Sequence, residues 1–231
     1  MLVKAIEIVS KSIFPIFFEH RQRNQVNIGI VGTGFFIDDK GTFLTACHVM
    51  DSGPDGARKL YVGNIPYRRI NPPVEIEEIR RNNDRDIFIG RIERDYYEPL
   101  TLDEGGPPIG KTLCLCGYPL AEIRILRGRI NTSNVRQYYQ PTFVLDGAEV
   151  RIQDARGTVH NYSGFMTRDA SYPGMSGGPV FDVDGIVWGM NVAHVSRNIP
   201  RPPNPNPIEV INGISIKTEI LSQVINVDSD D

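Results

Sequence analysis

The sequence predicts an all-β fold built from many short antiparallel strands. Glycine and proline (22 Gly and 17 Pro) make up about one residue in six of the 231, more than in an average globular protein, and they divide the chain with turns. Short apolar or alternating runs recur between these turns, and no long helical pattern alternates with them. This arrangement favours an antiparallel barrel or sandwich over a parallel α/β sheet.

About ten or more strands are expected from this pattern. The clearest apolar runs lie at residues 28–37, 42–46, 60–62, 87–92, 113–116, 143–145 and 150–152. The segments Asp39-Lys40-Gly41 and Asp184-Gly185 are typical of hairpin turns.

The two ends of the chain are predicted to be helical. Residues 1–14 carry apolar side chains at mixed spacing, which indicates a short amphipathic helix packed on the body. Residues 218–227 predict a terminal helix capped near Lys217 or Thr218, with a frayed acidic tail at 228–231. Five prolines from position 200 to 207 predict an exposed loop at 197–207, because proline cannot join the interior of a sheet.

The composition excludes several classes of protein. A net charge of −3 without clustering offers no broad basic surface for nucleic acid or anionic lipid. The best apolar run, at 13–18, is too short to span a membrane. An odd number of cysteines and the lack of a signal-peptide pattern favour the cytoplasm. No metal or organic cofactor is expected, because no second ligand pair accompanies Cys114 and Cys116.

The most specific motif is Pro-Gly-Met-Ser-Gly-Gly-Pro at residues 173–179, in which Ser176 lies among glycines. A nucleophile elbow would require a helix after this serine, then an acid and a histidine. The following Gly-Gly-Pro opposes a helix, and His194 is the only later histidine. The residues that follow Ser176 therefore exclude a nucleophile elbow.

A histidine and an acid lie upstream instead. His48 closes the apolar run at 43–49, and Asp86 opens the run at 86–92. Asp84 is an alternative acid, but Asp86 directly adjoins the apolar run. The order histidine, aspartate, serine is one in which catalytic triads occur.

At these positions the sequence resembles the trypsin-like serine proteases, and more closely the HtrA-type (high-temperature-requirement) protease domain. The resemblance spans residues 32–220 and rests on the following segments: Gly-Thr-Gly-Phe-Phe-Ile at 32–37, Thr-Ala-x-His-Val at 45–49, the stretch 102–119 ending in Gly-Tyr-Pro, and the segments 185–191 and 213–216. It implies a chymotrypsin-like fold of two antiparallel six-stranded β-barrels with short terminal helices. Met175 departs from the aspartate that activatable zymogens carry before the nucleophile, so activation by N-terminal cleavage is not expected.

The resemblance also implies one domain over residues 1–231. Its parts are an N-terminal helix and entry segment at 1–20, a first barrel at 21–105, a second barrel at 106–217, and a C-terminal helix and tail at 218–231. The Gly- and Pro-rich stretch at 98–111 is interpreted as the linker between the two halves. No PDZ domain is expected after residue 227, so substrate capture is assigned to the protease body or to another chain.

A catalytic role follows for each matched residue. Ser176 is expected to act as nucleophile and His48 as general base, with Asp86 orienting the imidazole. The backbone N–H groups of Gly174 and Ser176 are expected to form the oxyanion hole.

Substrate-binding residues are predicted around the same site. In trypsin-like pockets the residue six positions before the nucleophile lies at the base, and here that residue is Ala170. The resemblance therefore implies a neutral base that favours a small or medium apolar side chain over Arg or Lys, unless Asp169 or His194 turns inward. Tyr172 and His194 are further candidates to contact substrate. The main chain of Trp188, Gly189 and Met190 is expected to bind the substrate as an added β-strand.

The sequence therefore predicts an intracellular serine endopeptidase that acts on a dedicated protein partner through an acyl-enzyme. Activation by a protein partner is considered as well. Two alternatives remain open: a peptide-binding or regulatory module on a latent or inactive protease scaffold, and an esterase that uses the same residues.

Overall fold

The computed structural model describes residues 2–22, 25–61, 74–93, 97–119, 124–126, 129–131, 135–153, 159–201 and 204–225. Within these ranges the chain forms three short helices and fifteen strands. The helices are α1 (Leu2–Val9), α2 (Cys47–Asp51) and α3 (Thr218–Ile225). The strands before residue 100 are β1 (Ile13–Gln22), β2 (Gln25–Phe36), β3 (Thr42–Ala46), β4 (Arg58–Tyr61), β5 (Val74–Glu75), β6 (Glu77–Asn82) and β7 (Ile87–Arg91). The strands after it are β8 (Thr112–Gly117), β9 (Arg124–Leu126), β10 (Arg129–Asn131), β11 (Tyr138–Gln153), β12 (Val159–Thr167), β13 (Pro179–Phe181), β14 (Val187–Arg201) and β15 (Asn204–Lys217).

The first half of the chain is a seven-stranded antiparallel sheet in the order β5-β4-β1-β2-β3-β7-β6. Phenylalanines from four of its strands form a buried aromatic cluster. The Phe14 ring lies 4.8 Å from that of Phe36 and 5.1 Å from that of Phe43, and Phe43 lies 6.2 Å from Phe88. These edge-to-face and tilted contacts fix β3 against β7, and the candidate site lies at the ends of these two strands.

The second half closes into a six-stranded barrel in the order β11-β12-β15-β14-β13-β8. Apolar side chains from several of these strands meet in its interior, among them Leu113, Leu115, Val144, Phe165 and Val180. The predicted all-β architecture in two halves is confirmed. The first half has seven strands rather than the six that the resemblance implied.

The segment from residue 97 to 111 passes from one half to the other and hydrogen-bonds to both. Leu100 N–H donates to Phe36 O in the first sheet at 2.9 Å. Val187 N–H donates to Thr101 O at 2.9 Å and Asp103 N–H donates to Val187 O at 2.8 Å. The interpreted linker is therefore attached to the body at both ends.

The predicted helix at 1–14 is too long. The helix α1 ends at Val9, and β1 begins at Ile13 and pairs with β2. The β-branched and aromatic residues at 13–18 favour a strand, and Pro15 cannot continue a helix. Residues 13–20 therefore belong to the first sheet rather than to an entry segment.

The predicted loop at 197–207 is also wrong. The strands β14 and β15 pair with each other as far as Arg201 and Asn204, and residues 202–203 lie outside the described part of the chain. Among the described strands, this outer portion of the hairpin pairs with no third strand. A two-stranded ribbon leaves one side of each strand unpaired, and a proline without an N–H is tolerated there.

The C-terminal helix begins at Thr218 as predicted, and Thr218 Oγ1 donates to Gly105 O at 2.9 Å. The predicted helix end at 226–227 and the acidic tail lie outside the described residues. No helix in the described ranges has the length and apolar character needed to cross a bilayer.

A polar cluster around the buried Asp182 connects the end of β13 with Trp188 on β14 and with Lys111, the residue before β8. Trp188 Nε1 donates to Asp182 Oδ2 at 2.8 Å, and Lys111 Nζ lies 3.1 Å from the same oxygen and 4.0 Å from the Trp188 ring centroid. The N–H groups of Asp184 and Ile186 donate to Asp182 Oδ1 at 3.0 and 3.2 Å. Partial burial acts to raise the pKa of Asp182, but the hydrogen bonds outweigh it and hold that pKa below its usual value.

Asp182→Asn is expected to lower the free energy of unfolding by about 1–3 kcal/mol near pH 7, because Lys111 and Trp188 lose a charged acceptor. Since the pKa of Asp182 is lowered on folding, its contribution is present above the unfolded value of about 3.9 and disappears as the pH falls through the folded value. The difference in Tm between wild type and variant, measured by calorimetry, should therefore shrink below about pH 4. Asp184→Asn at the exposed neighbouring position is the control. A Tm difference that is independent of pH would contradict the assignment.

Candidate active site

The strands β3 and β7 bring His48 and Asp86 together. Their last antiparallel pair is Ala46 with Ile87, so the residues just beyond that pair lie side by side. Cys47 N–H donates to Asp86 O at 3.2 Å. The helix α2 begins at Cys47 and places His48 in its first turn, directly after the end of β3.

His48 is held by the carboxylate of Asp86 at two points. The backbone N–H of His48 donates to Asp86 Oδ1 at 2.9 Å, and the ring atom Nδ1 lies 2.6 Å from Asp86 Oδ2. Nδ1 is therefore the nitrogen that carries a proton toward the carboxylate, which leaves Nε2 as a base. The His48 side chain is 29% exposed and that of Asp86 is fully buried.

Asp86 adopts a left-handed backbone conformation, with φ of 57°. A non-glycine residue in this region costs about 1–3 kcal/mol, although aspartate tolerates it better than most. The turn before it is stabilised by Asn82, whose Oδ1 accepts the N–H of Arg85 at 3.0 Å. Strain at one residue of a rigid turn indicates that the position of its side chain matters.

The second acidic candidate, Asp84, points elsewhere. It is exposed, and its Oδ1 accepts a hydrogen bond from Asn161 Nδ2 at 2.5 Å. Its backbone carbonyl accepts the N–H of Asn161 at 2.7 Å. Of the two aspartates, the structure brings Asp86 to His48.

The turn before Ser176 has the geometry of a type II β-turn. Met175 N–H donates to Tyr172 O at 3.0 Å, Pro173 occupies the second position, and Gly174 occupies the third with φ of 95°. A Cβ on Gly174 would lie 2.4 Å from Tyr118 O, so only glycine fits. Within the described part of the chain, the N–H groups of Gly174 and Ser176 donate to no protein acceptor. Both donors are free to bind an anionic oxygen.

One buried threonine, Thr33 on β2, holds this turn. Its N–H donates to Ser176 O at 2.9 Å, and its hydroxyl donates to Gly174 O at 2.8 Å and accepts the N–H of Tyr118 at 3.2 Å. Thr33 lies in the segment 32–37 that resembles the protease family, but no role is predicted for it from the sequence. The available signal was a polar residue between two glycines in an otherwise apolar strand.

Gly177 packs the turn that carries Ser176 directly against the strand that leads to His48. It has φ of 80°, and a Cβ there would lie 2.1 Å from Thr45 Oγ1 and 3.0 Å from Ala46 N. Its N–H donates to Asn191 O at 2.7 Å. Ser176, the preceding residue, therefore lies against the end of β3, close to the start of α2.

The cysteines do not supply a competing nucleophile. All three are free and buried. Burial and the nearby Asp86 raise the pKa of Cys47 to about 12, and burial raises that of Cys114 to about 12. Thiols of this kind stay protonated at neutral pH. In the described residues, no group of three or more His, Cys, Asp or Glu side chains is arranged to hold a metal ion.

The predicted substrate strand at Trp188–Met190 has to be corrected. Gly189 pairs with Val180 on one side and with Lys217 on the other, and Met190 is likewise flanked by β13 and β15. A main chain that is paired on both sides cannot accept a third strand. Met190 is fully buried, and the Trp188 indole is occupied by the cluster around Asp182.

An available edge begins a few residues later. After Asn191, β14 pairs in the described part of the chain only with β15, and the exposed His194 lies opposite Gly213. A Cβ on Gly213 would lie 3.7 Å from the Cα of Ala170. The structure therefore brings Ala170 and His194, two predicted substrate residues, to the same side of the barrel.

Tyr172, the remaining predicted substrate residue, is the first residue of the turn before Ser176, and it is 47% exposed. Its ring stacks edge-to-face on Tyr138, with 5.6 Å between the centroids. Tyr172 therefore presents an aromatic surface next to the turn.

Comparisons with known proteins place this geometry in a family. No curated protein matches the chain. Among solved structures, the active form of the Rv3671c protease from M. tuberculosis has a TM-score of 0.67 at 16% identity, over 98% of this chain and 85% of that one. The inactive form of the same protease has a TM-score of 0.63 at 16% identity, over 98% and 93%. The HtrA-type protease AlgW with a decapeptide has a TM-score of 0.67 at 16% identity, over 98% of this chain and 68% of that one.

The model of the trypsin-like peptidase domain matches residues 32–190, which is more than half of the chain and includes His48, Asp86 and Ser176. The chain therefore belongs to the family of trypsin-like peptidase domains, and it is a serine peptidase of this family.

Proposed function

We propose that the protein is a serine endopeptidase that cleaves peptide bonds through His48, Asp86 and Ser176. The observation that carries the proposal is the pair formed by His48 and the buried Asp86, which lies at the strand end against which the Ser176 turn packs. A solvent-accessible imidazole on a buried carboxylate, close to a serine in a glycine-rich turn, suits acyl transfer.

In this mechanism Ser176 Oγ attacks the carbonyl carbon of the substrate, and His48 Nε2 takes the hydroxyl proton. The tetrahedral intermediate collapses as His48 gives that proton to the leaving amine, which leaves an acyl ester on Ser176. Water then attacks the ester by the same route and restores the serine. Asp86 stabilises the imidazolium through the 2.6 Å contact with Nδ1 and keeps Nε2 directed outward.

The oxyanion that forms in both steps needs fixed donors. The N–H groups of Gly174 and Ser176 suit this role, because neither has a protein acceptor in the described part of the chain. The positive φ of Gly174 matters here, since a type I turn would rotate the peptide between Pro173 and Gly174 by about half a turn and direct its N–H away. This conformation supports the assignment of the oxyanion hole to the N–H groups of Gly174 and Ser176.

The edge of β14 from Val192 to Val195, which in the described part of the chain pairs only with β15, is the proposed place where substrate adds as a strand. AlgW has been crystallised with a tripeptide and with a decapeptide, which supports peptide binding by this fold. Ala170 and Gly213 lie close together and carry no charge, so a small or medium neutral side chain before the scissile bond is proposed. Asp169 does not alter this, because its carboxylate lies 2.9 Å from Arg168 Nε.

Cleavage of a dedicated protein partner, activation by a protein and residence in the cytoplasm stay predictions. The alternative function is a peptide-binding or regulatory module on a latent scaffold. The Rv3671c protease has been solved in an active and an inactive form, and this supports a latent state as an alternative for the present fold. The type II geometry at Gly174 favours the active enzyme.

The serine assignment is tested with a fluorophosphonate probe, which reacts with an activated serine. Ser176→Ala should remove the adduct and lower kcat for a peptide by at least about 10⁴-fold. Ser10→Ala, at the exposed end of α1, should change neither. No adduct on the wild type, or an undiminished adduct on Ser176→Ala, would contradict the proposal.

Gly174→Ala should lower kcat by about 10²–10³-fold, because the added methyl group collides with Tyr118 O and displaces one oxyanion donor. Gly110→Ala is a matched control: it also has a positive φ, of 81°, but a Cβ there meets no atom within 4 Å. Tm should fall in both variants because of the positive φ, and further at 174 because of the collision, whereas steady-state kinetics should show a large loss of kcat only at 174. Equal activity of the two variants would argue against the oxyanion role.

Substrate pairing with β14 predicts a periodic response to N-methylation of a substrate peptide. Methylation at alternate residues before the scissile bond should lower kcat/KM by about 3–10-fold for each lost hydrogen bond, with little effect at the residues between. Trp188→Phe should leave this pattern unchanged, since its side chain packs in the cluster around Asp182. A uniform response along the peptide would refute strand addition.

A further inference from the structure

We propose that Tyr162 is a positioning residue for the triad acid, acting on Asp86 from the second half of the molecule. Its hydroxyl donates to Asp86 Oδ2 at 3.0 Å, and the tyrosine is 4% exposed. This inference rests on the proposed serine peptidase mechanism. Neither the sequence motifs nor the family match assigns a role to this residue.

The hydroxyl of Tyr162 reaches the oxygen that matters for the imidazole. Asp86 Oδ1 accepts the backbone N–H of His48, whereas Oδ2 faces the ring atom Nδ1. Tyr162 and His48 therefore share Oδ2 as their acceptor, one from the barrel and one from the first sheet. Rotation of the carboxylate about its Cβ–Cγ bond would break three contacts at once.

The strand that carries Tyr162 is itself fixed to the turn that carries Asp86. Asn161 N–H donates to Asp84 O at 2.7 Å, and Asn161 Nδ2 donates to Asp84 Oδ1 at 2.5 Å. Consecutive residues of β12 thus contact alternate residues of one turn. This places the tyrosine hydroxyl with the precision of strand pairing rather than of a single flexible side chain.

Tyr162 has two effects on the acid. It donates to Oδ2 of a buried carboxylate in addition to His48, which holds the carboxylate in the orientation that the imidazole needs. It also limits how strongly Oδ2 attracts the Nδ1 proton, because two donors share one oxygen. A buried tyrosine hydroxyl usually finds some acceptor, so a role in packing alone is the competing explanation.

The test is Tyr162→Phe, which keeps the ring and removes only the hydroxyl. We expect kcat to fall by roughly tenfold with KM changed by less than about twofold, because substrate contacts are untouched and the imidazole is less well oriented. The matched control is Tyr139→Phe, a partly buried tyrosine whose hydroxyl donates to Gln137 Oε1 at 2.7 Å, away from the acid. Similar losses of Tm in both variants, with a loss of kcat only at 162, are the expected result. A wild-type kcat in Tyr162→Phe, or an equal loss in both variants, would overturn the proposal.

A second measurement separates failure of this inference from failure of the proposed function. The proton on His48 Nδ1, observed by NMR at low temperature, reports its contact with Asp86 whether or not a peptide is cleaved. Its resonance should move in Tyr162→Phe and stay in place in Tyr139→Phe. If the wild type cleaves no peptide but the resonance moves, the peptidase proposal fails and the positioning role stands. If the wild type cleaves peptide but the resonance stays in place in Tyr162→Phe, the peptidase proposal stands and the positioning role fails.

If Tyr162→Phe does not fold, Tyr162→3-fluorotyrosine keeps the shape and makes the hydroxyl a stronger donor. The stronger hydrogen bond from the tyrosine hydroxyl draws electron density from Asp86 Oδ2. The hydrogen bond between His48 Nδ1 and Oδ2 therefore weakens, and the Nδ1 proton resonance should move upfield. The same replacement at Tyr139 is the control. No shift at position 162 would overturn the proposal.

Discussion

The two halves of the molecule are joined at the site by the hydrogen bonds of one buried threonine. Thr33 belongs to the first sheet, yet its N–H and hydroxyl hold the carbonyls of Ser176 and Gly174 in the second half. Its own carbonyl accepts the hydroxyl of Thr45 at 2.8 Å, on the strand that ends beside His48. The turn that carries Ser176 and the strand that ends beside His48 are thus both hydrogen-bonded to Thr33. Because a buried polar group left without its partner costs more than the bond itself gives, this arrangement resists small displacements of either half.

A second connection runs in the other direction, from the barrel to the acid. The strand β12 contacts both Asp84 and Asp86 on the turn of the first sheet. The site is therefore not a cleft between two independently built surfaces. Each half holds residues that the other half needs in position, and the strained backbone at Asp86 is tolerated because contacts on several sides determine it.

The sequence predicted those parts of the site that are encoded locally. Ser176 and Gly174 were recognisable because a glycine-rich turn has few conformations, and His48 because a histidine closes an apolar strand. Asp84 and Asp86 could not be separated with the same certainty, since the choice depends on the pairing of Ala46 with Ile87. Thr33 and Tyr162 were not found, because their roles arise from contacts with residues far away along the chain. The predicted substrate strand at Trp188–Met190 was wrong for the same reason: which side of β14 is paired depends on the positions of β13 and β15.

The fold shows the same division between local and distant information. Alternating apolar runs marked the central strands, but β6 is charged and lies at a sheet edge, where no burial pattern reveals it. The prolines near residue 200 indicated a loop because proline breaks interior strands, yet a two-stranded ribbon has an outer side on which that rule does not apply.

The contact between Thr33 and Gly174 spans 141 residues of sequence and that between Asp86 and Tyr162 spans 76. Contacts of such sequence separation close long loops, and the entropy lost in closing them must be offset by the packing of both halves. During synthesis the histidine and the acid leave the ribosome long before the serine turn and before Asn191, whose carbonyl holds Gly177. A growing chain therefore lacks the contacts that hold Ser176 against the end of β3 until the strands of the second barrel have been made.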